Sequence, residues 1–227
     1  MPLFKKEYRI HLSALSLVIS GILFVIYPAL RPYSDEISME GATAFASTEW
    51  LVAHMLAIVA FTLLPLGLLG FHNSLQGTNV RSFTYWALVL CLLGIGLTLP
   101  FYGGETFGLH AIGQEAIKQQ SAALLSQADI VRSGAGLVMF LIGLLLLAIA
   151  SIILAIAIWK SGKYPKWMGL PFAIGMSLYI PQFLAGQPLR ITHGLLVSLG
   201  CIWIAVGLWR NRNQTSNRKA QPKTISS

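Results

Sequence analysis

Two short stretches of this chain set a carboxylate and an imidazole at the same spacing. In Tyr-Gly-Gly-Glu-Thr-Phe-Gly-Leu-His-Ala-Ile-Gly, residues 102–113, Glu105 precedes His110 by five positions, and in Glu-Trp-Leu-Val-Ala-His, residues 49–54, Glu49 precedes His54 by five. Such a pair can relay a proton, bind a cation or hydrogen-bond a polar ligand. Both stretches adjoin long apolar runs, where an ionisable group is expensive to leave without a partner and marks a site by default. The same criterion adds Arg132, Arg190 and His193. The candidate ligand-binding set is therefore Glu49, His54, Glu105, His110, Arg132, Arg190 and His193.

These groups have to be positioned by the apolar runs themselves. Of the 227 residues, 55% are hydrophobic and 11% charged, against about 25% charged in a typical soluble domain. The runs approach the ~20 residues that cross a hydrocarbon core about 30 Å thick. Backbone groups in lipid must be bonded internally, and runs this long and continuous exclude barrel strands. The expected fold is all-α, a polytopic membrane protein of six transmembrane helices over about 11–30, 50–71, 83–102, 135–159, 167–185 and 190–209. The first run is longer than a signal peptide's apolar core and reads as a retained helix. Residues 211–227 are polar, basic and aperiodic and are expected to form a disordered cytoplasmic tail.

The net charge of +8 would suggest nucleic acid in a soluble protein. Here the basic residues lie between apolar runs, where they set orientation, and no nucleic-acid partner is expected; the partner is the lipid bilayer. With both termini inside, twelve of the sixteen Lys and Arg fall on the inner side, including Lys5, Arg9, Arg81, Lys160, Lys163, Lys166 and Arg210; Arg31, Lys118, Arg132 and Arg190 fall outside. Of the eight acids only Glu7 is inner. The expected topology is N-in, C-in. Cys91 and Cys201 lie inside apolar runs and read as small buried side chains.

In this topology every candidate residue maps toward the outer face. Asp35, Glu36 and Glu40, between the first two spans, read as a solvated loop, and residues 105–127 as a helix over the outer mouth. Ser126-Gln-Ala-Asp129 has the form of a capping box starting the fourth helix. Glycines 94, 96, 104 and 108 can approach glycines 134, 136 and 143, bringing Glu105 toward Arg132. Arg132 is expected to pair with Glu105 or Asp129, and His54 and His193, at similar depth, to face one another across the bundle.

Tyr-Pro-Lys-Trp-Met-Gly at 164–169, with Glu-Trp-Leu-Val-Ala-His at 49–54, resembles a loose group of bacterial multi-pass proteins carrying Pro-Arg/Lys-Trp-x-Gly before the penultimate helix. The resemblance implies a fold and a bacterial inner membrane and no activity.

Four functions fit these residues. The preferred one is a small-ligand binding or structural membrane protein. A metal or haem site would use His54, His110 and His193, although no two of these are three or four residues apart. A membrane enzyme acting on a lipid or quinone would use a His and Glu pair as base, without any nucleophile motif. A small transporter would draw on Pro65, Pro100, Pro171 and Pro181 for kinks, and six short helices would require it to form a homodimer. The residues identify no cofactor and no substrate.

Overall fold

The computed structural model describes residues 6–220, with side chains described from 8 to 211. Among these there is no strand. The helices are α1 (Lys6–Leu30), α2 (Met39–Ala46), α3 (Thr48–Ser74), α4 (Arg81–Gly103), α5 (Leu109–Gln119), α6 (Gln127–Val131), α7 (Gly134–Ser161), α8 (Leu170–Ser177) and α9 (Gln187–Ala220). A π-helical turn, Gly104–Gly108, joins α4 to α5, and 3-10 turns occupy Ala122–Ser126 and Pro181–Leu184.

Five helical stretches are long and apolar enough to cross a membrane: Tyr8–Leu30, Thr48–Ser74, Arg81–Gln119, Gly134–Ser161 and Gln187–Asn211. The chain is a multi-pass membrane protein by this measure. α1 shows why these helices suit lipid. Leu12, Leu15, Ile19, Ile22 and Ile26 are exposed along one stripe, while Ala14, Leu17 and Phe24 are buried on the other.

Neighbouring elements close into a ring: α1 packs on α3, α3 on α4, α4 on α7, α7 on α8, α8 on α9, and α9 back on α1. The α4–α7 contact is close because both helices place glycine there; a Cβ on Gly94 would lie 2.7 Å from the Gly143 carbonyl oxygen. Gly96, Gly134 and Gly136 meet nothing comparable.

α4, the π turn and α5 form one run of 39 residues, roughly 58 Å at 1.5 Å per residue and so about twice the hydrocarbon thickness. Its α5 end therefore stands beyond the bundle. There it joins α2 and α6 in a second hydrophobic cluster built on Ala42, Phe45, Trp50, Leu109, Ala116, Leu125 and Ala128. This cap is the helix expected over the mouth, continuous with the third span. The segment expected as a solvated loop contributes α2, N-capped by the Ser38 hydroxyl, which accepts from the Glu40 N–H.

Three further expectations are corrected. The stretch 167–185 is not one helix: α8 has eight residues and ends at Ser177. Pro181 explains the ending, because it has no N–H to give the Ser177 carbonyl and its ring would strike that group. The fourth span begins at Gly134, with φ +60°, and not at a capping box; the Ser126 hydroxyl donates to the Ala123 carbonyl, and α6 is a separate piece of five residues. α9 continues to Ala220, ten residues into the stretch expected as a disordered tail; 221–227 lie outside the described residues.

The broken stretch nevertheless follows α9 along its length. Asn211 donates to the Tyr164 hydroxyl at one end, a Cβ on Gly207 or Gly200 would meet Met168 or Phe172, His193 bonds the Gly175 carbonyl, and Arg190 bonds the Phe183 carbonyl at the other end.

Candidate functional site

At the end of the bundle beneath the cap, charged side chains alternate in sign. Arg31, just past the end of α1, donates from Nη2 to Glu36 Oε1 at 2.6 Å. The other Glu36 oxygen accepts from Arg132 Nη1. Arg132 in turn grips Glu105 with two donors, Nε to Oε1 and Nη2 to Oε2, the latter at 3.0 Å. Glu105 Oε2 lies 3.9 Å from His54 Nε2. The string Arg31, Glu36, Arg132, Glu105, His54 thus ties the loop after α1, the π turn, the break before α7, and α3.

Local structure explains each placement. Arg132 caps the C-terminus of α6, so it is free of the helical register that would have set it beside Asp129. Glu105 lies in the π turn and is buried; such one-residue insertions re-aim side chains and are frequent at functional sites. Burial works against charge at Glu36 and Arg132 alike. At Glu36 it is outweighed by Arg132 and Arg31, which hold the carboxyl below its ordinary range. At Arg132 it is outweighed by Glu105 and Glu36, which push the guanidinium higher still. Two arginines and two carboxylates leave this network neutral.

His54 is oriented by its own helix. Nδ1 lies 2.8 Å from the Trp50 carbonyl, which can only accept, so Nδ1 carries the proton and neutral His54 presents Nε2 as an acceptor. The ring packs against Trp50 with centres 4.3 Å apart and planes tilted by 33°, and the Trp50 indole N–H donates to the Glu105 carbonyl at 2.8 Å.

These groups border a cavity of about 830 Å³. Arg31, Tyr33, Glu36, Glu105, Arg132, Arg190 and His54 form its polar end; Phe101, Leu137, Phe140 and Phe183 form its apolar wall. The Phe101 and Phe140 rings stack at 4.2 Å. Tyr27 and Tyr102 also line it, and both direct their hydroxyls to that of Tyr179, at 2.9 and 3.0 Å. Three buried hydroxyls thereby satisfy one another. The lining runs out to Leu141, Ile180 and Leu184, all exposed.

Of the residues singled out in the sequence, His54, Glu105, Arg132 and Arg190 come together here. Glu49 is exposed in the first turn of α3. His110 Nδ1–H donates to the Phe45 carbonyl at 2.9 Å and holds α5 to α2. His193 does not face His54. Its Nε2–H donates to the Gly175 carbonyl at 2.7 Å, a group left over because α8 ends and the Tyr179 N–H turns to Met176. His54, His110 and His193 are thus each bonded to a different carbonyl, and among the described residues no three His, Cys, Asp or Glu side chains group as metal ligands.

Glu36, Arg31, Tyr33, Tyr27 and Tyr102 belong to the site and were not singled out. Tyr27 and Tyr102 could have been found from their hydroxyls, which inside an apolar run require a buried partner. Glu36 carries no such signal, since it stands between other loop acids.

Comparison of the chain with protein-family models, with curated proteins and with solved structures finds no match. The site is argued from its geometry.

Proposed function

We propose that this chain is a six-span protein of a bacterial cytoplasmic membrane, both ends inward, that binds a small amphiphilic molecule in the outer half of its bundle. The observation carrying the binding reading is a cavity of about 830 Å³ whose lining joins a charged end to an aromatic wall and reaches Leu141, Ile180 and Leu184, which are exposed. Small-molecule sites are concave, mostly apolar and fitted with a few placed polar groups. An opening through lipid-facing side chains suits a ligand with a hydrocarbon part.

The six-span reading is supported by α8 and its 3-10 continuation. Together with the turn from Tyr164 that precedes them, they follow α9 from Asn211, which bonds Tyr164, to Arg190, which bonds Phe183, a length of α9 amounting to roughly 32 Å and close to the hydrocarbon thickness. The twelve-to-four division of basic residues supports the orientation. The resemblance at 49–54 and 164–169 supports a bacterial membrane.

Purification in mild detergent, solvent extraction and mass spectrometry of the extract test the binding reading. An amphiphile present in stoichiometric amount should be retained by the wild type and lost from Leu141→Trp, which fills the opening from a partly exposed position. Equal lipid content in the two proteins would count against it.

A further inference from the structure

The cavity contains three arginines, and only two are neutralised. Arg31 and Arg132 share Glu36 and Glu105. Arg190, at the opposite side of the polar end, makes no ion pair among the described residues; its Nε and Nη2 donate to the carbonyls of Ala185 at 2.8 Å and Phe183 at 2.7 Å. Those bonds fix the guanidinium and leave Nη1 uncommitted. Its carbon lies 5.6 Å from the centre of the Tyr33 ring, and Tyr33 has a buried hydroxyl with no partner. The remaining lining acid, Asp35, is exposed and accepts from the N–H groups of Ile37 and Ser38 through Oδ1.

Buried polar groups are nearly always hydrogen-bonded, and each exception calls for an explanation. Here the Tyr33 ring lies 5.6 Å from the carbon of the uncompensated Arg190 and 4.7 Å from that of the paired Arg31, in a cavity with an apolar wall. We infer that the amphiphile carries a singly charged oxyanion head, a carboxylate or a phosphodiester, seated on Arg190 and the Tyr33 hydroxyl. Its chain lies along Phe183, Phe140 and Leu141 toward the side opening. The head is placed at Arg190 and not at Arg132 because Arg132 already has two carboxylates. This inference rests on the amphiphile reading above and specifies its head group.

The test uses the full chain in phosphatidylcholine nanodiscs, photolabelled with a diazirine-bearing palmitate and competed with palmitate, palmityl alcohol or phosphatidylglycerol. Labelled peptides containing Phe140 or Phe183 are quantified. Palmitate or phosphatidylglycerol should compete at least about tenfold better than the alcohol, the scale of a charge-assisted hydrogen bond; whichever anion competes better identifies carboxylate or phosphodiester. Arg190→Gln should erase the preference for the anion, and Arg190→Lys should restore part of it. Should Arg190→Gln fail to fold, Tyr33→Phe, which removes only an unbonded hydroxyl, should still reduce the preference severalfold. Competition by the alcohol equal to that by both anions overturns the anionic head and leaves the amphiphile reading standing. Absence of any displaceable label overturns both. An anion preference unchanged in both Arg190→Gln and Tyr33→Phe places the head elsewhere and overturns the inference.

Discussion

Replacing Arg132 by leucine should be among the most damaging single changes in the polar network. The arginine holds two carboxylates with three donors. Without it, Glu105, whose side chain is 11% exposed, keeps no donor partner, since the His54 Nε2 at 3.9 Å is itself an acceptor. Breaking a buried pair from one side costs about 3–5 kcal/mol, and the lower end applies because the Arg132 and Glu36 side chains are 27% and 24% exposed. For a chain of this size, about 3 kcal/mol corresponds to a fall of roughly 6–12 °C in thermal midpoint. Glu105→Gln alone should cost about 2 kcal/mol, since it removes one charge and leaves Arg132 its second carboxylate. The double variant should cost about 3 kcal/mol, leaving a coupling energy near 2 kcal/mol. Thermal unfolding of the four proteins in maltoside micelles at neutral pH provides the measurement. Additivity of the two single effects to within about 0.5 kcal/mol would show that the pair contributes nothing, and the reasoning from geometry to energy would fail with it.

Reporter fusions after Lys163 and after Gln214 should report the cytoplasm and one at Gln119 the outside; a cytoplasmic signal at Gln119 would end the six-span, N-in reading. His193→Ala should lower stability by about 1–3 kcal/mol, the cost of a buried carbonyl left unbonded, and deuterium exchange should rise first in peptides covering α8; a uniform increase along the chain would refute the capping role. Because the folded Glu36 carboxyl is held below its ordinary value of 4.5, its contribution is complete above that value and is lost as pH falls through the depressed one. The wild-type midpoint should therefore drop below about pH 4.5 more steeply than that of Glu36→Gln, and parallel curves would contradict the Arg31–Glu36–Arg132 bridge.

The long elements were legible because hydropathy alone defines them, and five of the six expected spans fall within long helices. The exceptions have separate causes. At 167–185 composition is apolar throughout, so a hydropathy reading passes over Pro181, which decides the local backbone. At Ser126–Asp129 a sound capping pattern was present, yet the helix it opens lasts only five residues, because Gly134 takes a left-handed conformation and restarts the chain. The Glu105–Arg132 pair was legible in part, through the close approach of Gly94 and Gly143; the other glycines of that expectation make no such α4–α7 contact. The His54–His193 pair failed because depth fixes how far along a helix a residue lies and says nothing about which neighbour it faces; α8, packed against α9, takes up His193.

The irregular backbone converges on one place, and that convergence argues for the cavity more strongly than any single side chain. A π turn at Gly104–Gly108, the break between α6 and α7, and the 3-10 turn at Pro181–Leu184 each forgo regular helical hydrogen bonds. In a bilayer, non-helical backbone is tolerated only where protein covers it or where it borders a cavity. Each of the three contributes lining residues to the same cavity: Glu105 from the first, Arg132 from the second, Pro181, Phe183 and Leu184 from the third. In the same cavity stand the Arg190 guanidinium, which makes no ion pair among the described residues, and the Tyr33 hydroxyl, which has no partner, an arrangement that a ligand with a charged head and a hydrocarbon chain would complete.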